Sequence, residues 1–166
     1  QIPTYGPSPR IRSNATVHRF DFPGEKTAMS SDEAQNRLRT PLHGYRGSGF
    51  VEMDHTSGSV NVPVEIGESG LYAVSLRYAN GNGPVNTENK AAIRTLLVDG
   101  KRAGTIVMPQ RGVGNWNDWG MTNVVKVRLT PGHHNLSLVF LPENENMNFK
   151  VNHALVDQIE VRRLRP

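Results

Sequence analysis

The sequence predicts an all-β protein, an antiparallel β-sandwich of jelly-roll type. Sixteen glycines and eleven prolines in 166 residues imply many turns and short elements. Apolar and polar or small residues alternate with period 2 in short runs, most clearly over residues 71–79, as in a strand with one face on a core. Turn signals separate these runs at short intervals. Asp99-Gly100, between two β-branched runs, is a strong hairpin signal.

Taken in order, residues 1–14 contain Pro3, Gly6, Pro7 and Pro9 without periodicity and read as an extended lead-in or linker, with the sandwich over 15–166. Residues 16–22 form the first strand candidate, closed by Pro23-Gly24. Residues 30–38 offer N-cap candidates (Ser30, Ser31, Asp32) ahead of one or two helical turns at most. Further strands are expected at 50–53, 59–66, 70–79, 91–98, 104–108, 124–129, 134–140 and 156–164. The intervening turns fall at 56–58, 67–70, 99–101 and 130–132, and no internal repeat is present.

Composition narrows the function classes. With 36% hydrophobic and 20% charged residues the chain is polar but globular, and its length suits one domain. The absence of cysteine excludes disulfides, thiolate chemistry and cysteine-ligated zinc. The charge of +4 is scattered, without the basic stripe and interleaved aromatics of a nucleic-acid reader. No apolar run approaches the roughly 20 residues of a membrane span. No signal peptide is recognisable, and Gln1 fits either a residue that follows a cleavage point or the boundary of a piece of a longer chain.

The strand over 71–79 runs into a loop holding Asn80, Asn82, Asn86 and Asn89, with two glycines and Pro84. Asparagine amides suit sugar hydroxyls because each supplies an acceptor oxygen and donor hydrogens. A second amide-rich stretch contains Asn148 and Asn152. Trp116 and Trp119, the two tryptophans, lie in a glycine-flanked loop, where an indole stacks on the C–H face of a sugar or caps the core. Tyr45 sits between Gly44 and Gly47, as a cleft wall or a loop anchor. Arg77, at a strand end, grips a sugar carboxylate bidentately or pairs with a structural Asp or Glu. The carboxylate pairs Glu52/Asp54 and Glu143/Glu145 define no acid and nucleophile environments, and no nucleophile elbow, phosphate loop or histidine metal motif is present.

Several segments, read together in order, resemble carbohydrate-binding module families 6 and 35. These are Gly44-Tyr45-Arg46-Gly47-Ser48-Gly49-Phe50-Val51, Gly70-Leu71-Tyr72 with Leu76-Arg77-Tyr78-Ala79-Asn80-Gly81, the Val98-Asp99-Gly100 hairpin, Trp116-Asn117-Asp118-Trp119, Leu129 through His134, and Val156-Asp157-Gln158-Ile159. The resemblance spans about 16–163. It implies a galactose-binding-like β-sandwich, non-catalytic, binding a glycan or polysaccharide beside a glycoside hydrolase or polysaccharide lyase domain, and secreted, periplasmic or cell-surface in a bacterium. It also implies Trp116 as the sugar platform and Tyr45 as the opposite wall. The asparagine these families place two residues before the last-strand aspartate is Leu155 here, so Asn148 or Asn152 would supply that amide. Asp157 matches an aspartate that often ligates structural calcium with acidic residues of the first strand. Asp21 and Glu25 are the candidate partners, although the usual pair of first-strand glutamates is missing. The competing expectation is a structural β-sandwich that packs on a catalytic domain without binding sugar.

Overall fold

The computed structural model describes residues 17–22, 42–54, 59–82, 91–145 and 152–166. Its strands are β1 (Val17–Asp21), β2 (Val51–Met53), β3 (Val60–Ile66), β4 (Gly70–Ala79), β5 (Ala92–Val98), β6 (Lys101–Met108), β7 (Gly120–Met121), β8 (Val125–Leu129), β9 (Gly132–Val139) and β10 (Ala154–Arg165), with one 3-10 turn at Pro142–Asn144. They form two antiparallel sheets. In the first, β10 is flanked by β1 and β2 on one side and by β4 on the other, and β4 in turn pairs with β7 and β8. The second runs β3-β9-β5-β6.

Period-2 patterning decides which faces meet. In β3, Val62, Val64 and Ile66 point inward while Asn61, Pro63 and Glu65 are exposed. Pro63 is tolerated because β3 is an edge strand. Val74, Leu76 and Tyr78 of β4 and Val156, Ile159 and Val161 of β10 meet Ala92, Leu96, Ile106, Leu136 and Leu138 of the other sheet in one core. Deleting most of one such side chain costs about 2–5 kcal/mol. Asp99 and Gly100 close the β5–β6 hairpin in two residues, both at positive φ (50° and 80°), as a type I′ turn requires.

The expected strands all have counterparts where the structure describes them. The two-residue β7 and the 3-10 turn went unread because each is too short for a periodic signal. The lead-in at 1–14 and the helical candidate at 30–38 lie outside the described residues.

Two polar devices finish the sandwich. Between β7 and β8, Asn123 accepts from the Val107 amide at 2.8 Å and donates to the Thr105 carbonyl at 2.8 Å, occupying the open edge of β6. At the opposite end, His134 of β9 places Nδ1 2.6 Å from Asp99 and Nε2 2.7 Å from the Thr130 carbonyl. Two acceptors on one imidazole favour its protonated form, so the His134 pKa is raised, first by the Asp99 hydrogen bond and then by Thr130. The Asp99 carboxyl is lowered, first by the Asn135 amide and then by His134.

The sign of the linkage follows from these directions. A raised histidine contributes stability that is complete below about pH 6.5 and fades as pH climbs through its folded value; a lowered aspartate loses its contribution as pH falls through its own. Thermal melts of the native chain and His134→Gln across pH should therefore differ most between about pH 4 and 6.5 and converge at alkaline pH.

Candidate functional site

A second apolar cluster lies on the outer face of the six-stranded sheet, away from the main core. Leu42, Phe50, Ala79, Trp116 and Leu155 are buried together, with Tyr45 and Trp119 half-buried against them. Ala79 and Leu155 are register partners, and their neighbours Tyr78 and Val156 face the main core. The ends of β4 and β10 are thus apolar on both faces, and the segments preceding β2 and β7 fold over the outer one. Gly81 allows this close approach: a Cβ there would stand 2.8 Å from the Asn115 carbonyl carbon and 2.9 Å from the Trp116 ring. The Tyr45 and Trp119 rings each pack against Phe50, at centroid distances of 5.6 and 6.0 Å.

The overlying loop is tied down by charge. A β-bulge in β10 between Val156 and Gln158 makes Asp157 an extra residue, which re-aims its side chain. Asp157, with a fully buried side chain, forms an ion pair with the Arg77 guanidinium and accepts the Arg46 backbone N–H at 2.7 Å on the same oxygen. Arg77 also donates to the Gly44 carbonyl at 2.8 Å, and its guanidinium carbon lies 5.2 Å from the Trp119 ring centroid. The Trp119 Nε1 donates to the His43 carbonyl at 3.0 Å, and the His43 N–H to Asn117 at 2.9 Å. Burial pushes the Asp157 carboxyl above the ordinary aspartate value, against the opposing pull of the Arg46 N–H and of Arg77. Its Oδ1 is buried without a hydrogen-bond partner among the described residues.

The expected amide readers are largely structural. Asn80 is 0% exposed, donates to the Met108 carbonyl at 2.9 Å and accepts from the Asn82 backbone and side chain at 3.0 and 2.7 Å. Asn82 is half-buried and also donates to the His153 carbonyl at 2.7 Å. Asn152, 1% exposed, accepts from the Ile93 N–H at 2.9 Å and from Arg94, and donates to the Asn144 carbonyl at 3.0 Å. Arg94 is itself 1% exposed and reaches the Asp54 and Asn152 carbonyls, and burial lowers its pKa to about 10 against the pull of Asp54. These groups lock loop ends together because buried amides and guanidinium groups must be satisfied by the protein. Asn86, Asn89 and Asn148 lie outside the described residues.

Packing also bears on Trp116 and Arg77. Trp116, expected as the sugar platform, is 6% exposed, with the His153 ring 4.9 Å away at 41° and Gly81 against its edge. Arg77, read as either a carboxylate reader or a structural partner, takes the structural role through Asp157. Tyr45 stands at the rim of the outer cluster, where Trp119 joins it. Sequence reasoning named Trp116 rather than Trp119 as the platform and missed Phe50. The available signal was the three-residue apolar run Ala154-Leu155-Val156, which buries both faces of a strand.

Calcium requires six to eight oxygens. The one Asp157 oxygen with hydrogen-bond partners faces a guanidinium and an N–H, and Asp21 accepts from Gln158 at 3.0 Å. No group of three His, Asp or Glu side chains among the described residues could hold a metal, and Glu25 lies outside them. The described donor set therefore does not fit calcium. The carboxylates weighed for catalysis also have other partners: Glu52 lies 3.1 Å from His153, and Glu143 pairs with Arg102 at 2.5 Å.

No protein-family model matches the chain. It is 34% identical over 129 residues to a cycloisomaltooligosaccharide glucanotransferase of Niallia circulans, covering 77% of this chain and 12% of that enzyme. The chain thus spans about an eighth of that relative's length. A Paenibacillus cycloisomaltooligosaccharide glucanotransferase, solved with cycloisomaltoheptaose, superposes with a TM-score of 0.61 at 23% identity, over 89% of this chain and 18% of the enzyme. A family 35 carbohydrate-binding module from an environmental isolate superposes at 0.58 with 21% identity, over 87% of this chain and 91% of the module.

The burial of Trp116 makes it a stability residue. Trp116→Ala should reduce the unfolding free energy by about 3–5 kcal/mol in a denaturant titration. A loss below about 0.5 kcal/mol, the level of an ordinary surface substitution, would show that the indole is not packed as described.

Proposed function

Starting from a chain with the β-sandwich fold of the family 35 carbohydrate-binding modules, we propose that it is a non-catalytic module that binds a glycan, carried outside the cell beside a glycoside-active catalytic domain of a longer protein. The observation that carries the reading is the half-exposed pair Tyr45 and Trp119, both packed against the buried Phe50. Aromatic surface beside polar backbone is what the apolar face and hydroxyl rim of a pyranose require. The relatives named cycloisomaltooligosaccharide glucanotransferases, one of them solved with cycloisomaltoheptaose, support a glucan as the ligand class. The engagement of Arg77 with Asp157 favours a neutral sugar over a uronate, because the arginine charge is already balanced inside the protein.

The burial of Trp116, Asn80 and Asn152 favours a second reading, in which the domain is a structural accessory that packs on its catalytic neighbour without binding sugar.

Titration with isomaltooligosaccharides, after a glycan array, separates the two. Stacking on one or two partly exposed rings with a few hydrogen bonds predicts dissociation constants on the order of 0.01–1 mM. Tyr45→Ala and Trp119→Ala should each weaken binding by about tenfold or more, equivalent to roughly 1.4 kcal/mol, while the far-UV spectrum keeps its β signature. Failure of every glycan to bind would leave the structural accessory, and uronate-only binding would remove the neutral-glucan reading.

A further inference from the structure

The junction between β4, β10 and the loop ahead of β2 contains its own cation. We propose that the guanidinium of Arg77 takes the place that a structural calcium ion would hold in this fold, so that the domain folds at full stability without metal.

A cross-linking cation at this point has two tasks. It must balance a carboxylate buried on β10, and it must tie the loop over 42–50 to the sheet. Arg77 does both, pairing with Asp157 and donating to the Gly44 carbonyl at 2.8 Å. The Arg46 N–H, donating to the same Asp157 oxygen, closes the loop onto the sheet from the other side. The third connection, to β1, is also made by protein groups. Arg46 donates to Gln158 at 3.2 Å, and Gln158 donates to Asp21 at 3.0 Å. Asp21, Gln158 and Arg77 are register partners, one row across β1, β10 and β4. Gly47 packs on the Asp21 carboxylate so closely that a Cβ would stand 3.0 Å from it.

The charge inventory points the same way. Among the described residues, Arg77 and Arg46 face Asp157 and Asp21 at this junction, two cations against two carboxylates. The next carboxylate along, Glu160, faces two cations, Arg19 at 3.7 Å and Arg162 at 3.0 Å. A divalent ion entering this row would meet two guanidinium groups and, on Asp157, only the buried Oδ1 without a donor among the described residues, and the missing first-strand glutamates remove the further oxygens that calcium coordination needs. This inference does not depend on glycan binding.

Thermal melts of the full chain, first stripped with chelator and then with calcium restored, test it directly. The melting temperature should be the same in both. Arg77→Gln should lower it by roughly 5–15 °C, since the variant leaves a buried carboxylate without its counter-ion. The double variant Arg77→Gln/Asp157→Asn should regain much of that loss, because the unpaired charge is then gone; simple loss of packing would not be repaired this way. A melting temperature that rises with calcium in the native chain and no longer does so in Asp157→Asn overturns the proposal. So does a double variant no more stable than Arg77→Gln.

Discussion

The outer face of this domain depends on one requirement, that the carboxylate of Asp157, buried on a sheet, have a counter-charge. A β-bulge in β10 puts that carboxylate on the same side as Gln158 and beside Arg77. Arg77 and the Arg46 N–H then hold the loop ahead of β2 in place. With the loop held, Phe50 is buried, Trp119 lies against Arg77, and Tyr45 comes to the rim. Desolvation makes such a pair costly, and its net contribution to stability is small. Its effect is to specify position: a one-residue slip of β10 would turn Asp157 away from Arg77 and move Leu155 off the cluster.

The amides at the strand ends show the same economy of polar groups. A sandwich gathers several loops at one end, and each brings backbone donors and acceptors that must be satisfied once covered. Asn80, Asn144 and Asn152 do this by pairing with carbonyls and N–H groups of neighbouring segments. An asparagine in a strand-end loop therefore has two competing uses, reading hydroxyls of a ligand or replacing backbone partners within the protein. Burial decides between them, and here it assigns Asn80 and Asn152 to the protein. The half-exposed surface that remains on this face is aromatic: Tyr45 and Trp119, packed on Phe50, with Arg77 against the indole.

The sequence by itself determined the strands and their inward faces, because period-2 alternation in segments such as Val60–Ile66 is a local consequence of which side chains can leave water. It determined the β5–β6 hairpin, since Asp99-Gly100 suits two consecutive positive φ angles, and its ordered segments around Tyr45, Arg77, Trp116 and Asp157 pointed to the fold. Only the tertiary structure decided which residues of those segments are buried and which stay half-exposed. Trp116 and Trp119 are three apart in one loop with equal local credentials. Gly81 and His153, distant in sequence, bury the first, while the outer cluster leaves the second half-covered. Arg77 had two open partners until the bulge in β10 brought Asp157 against it. Burial and charge pairing arise from contacts between segments tens of residues apart, so no local pattern contains them.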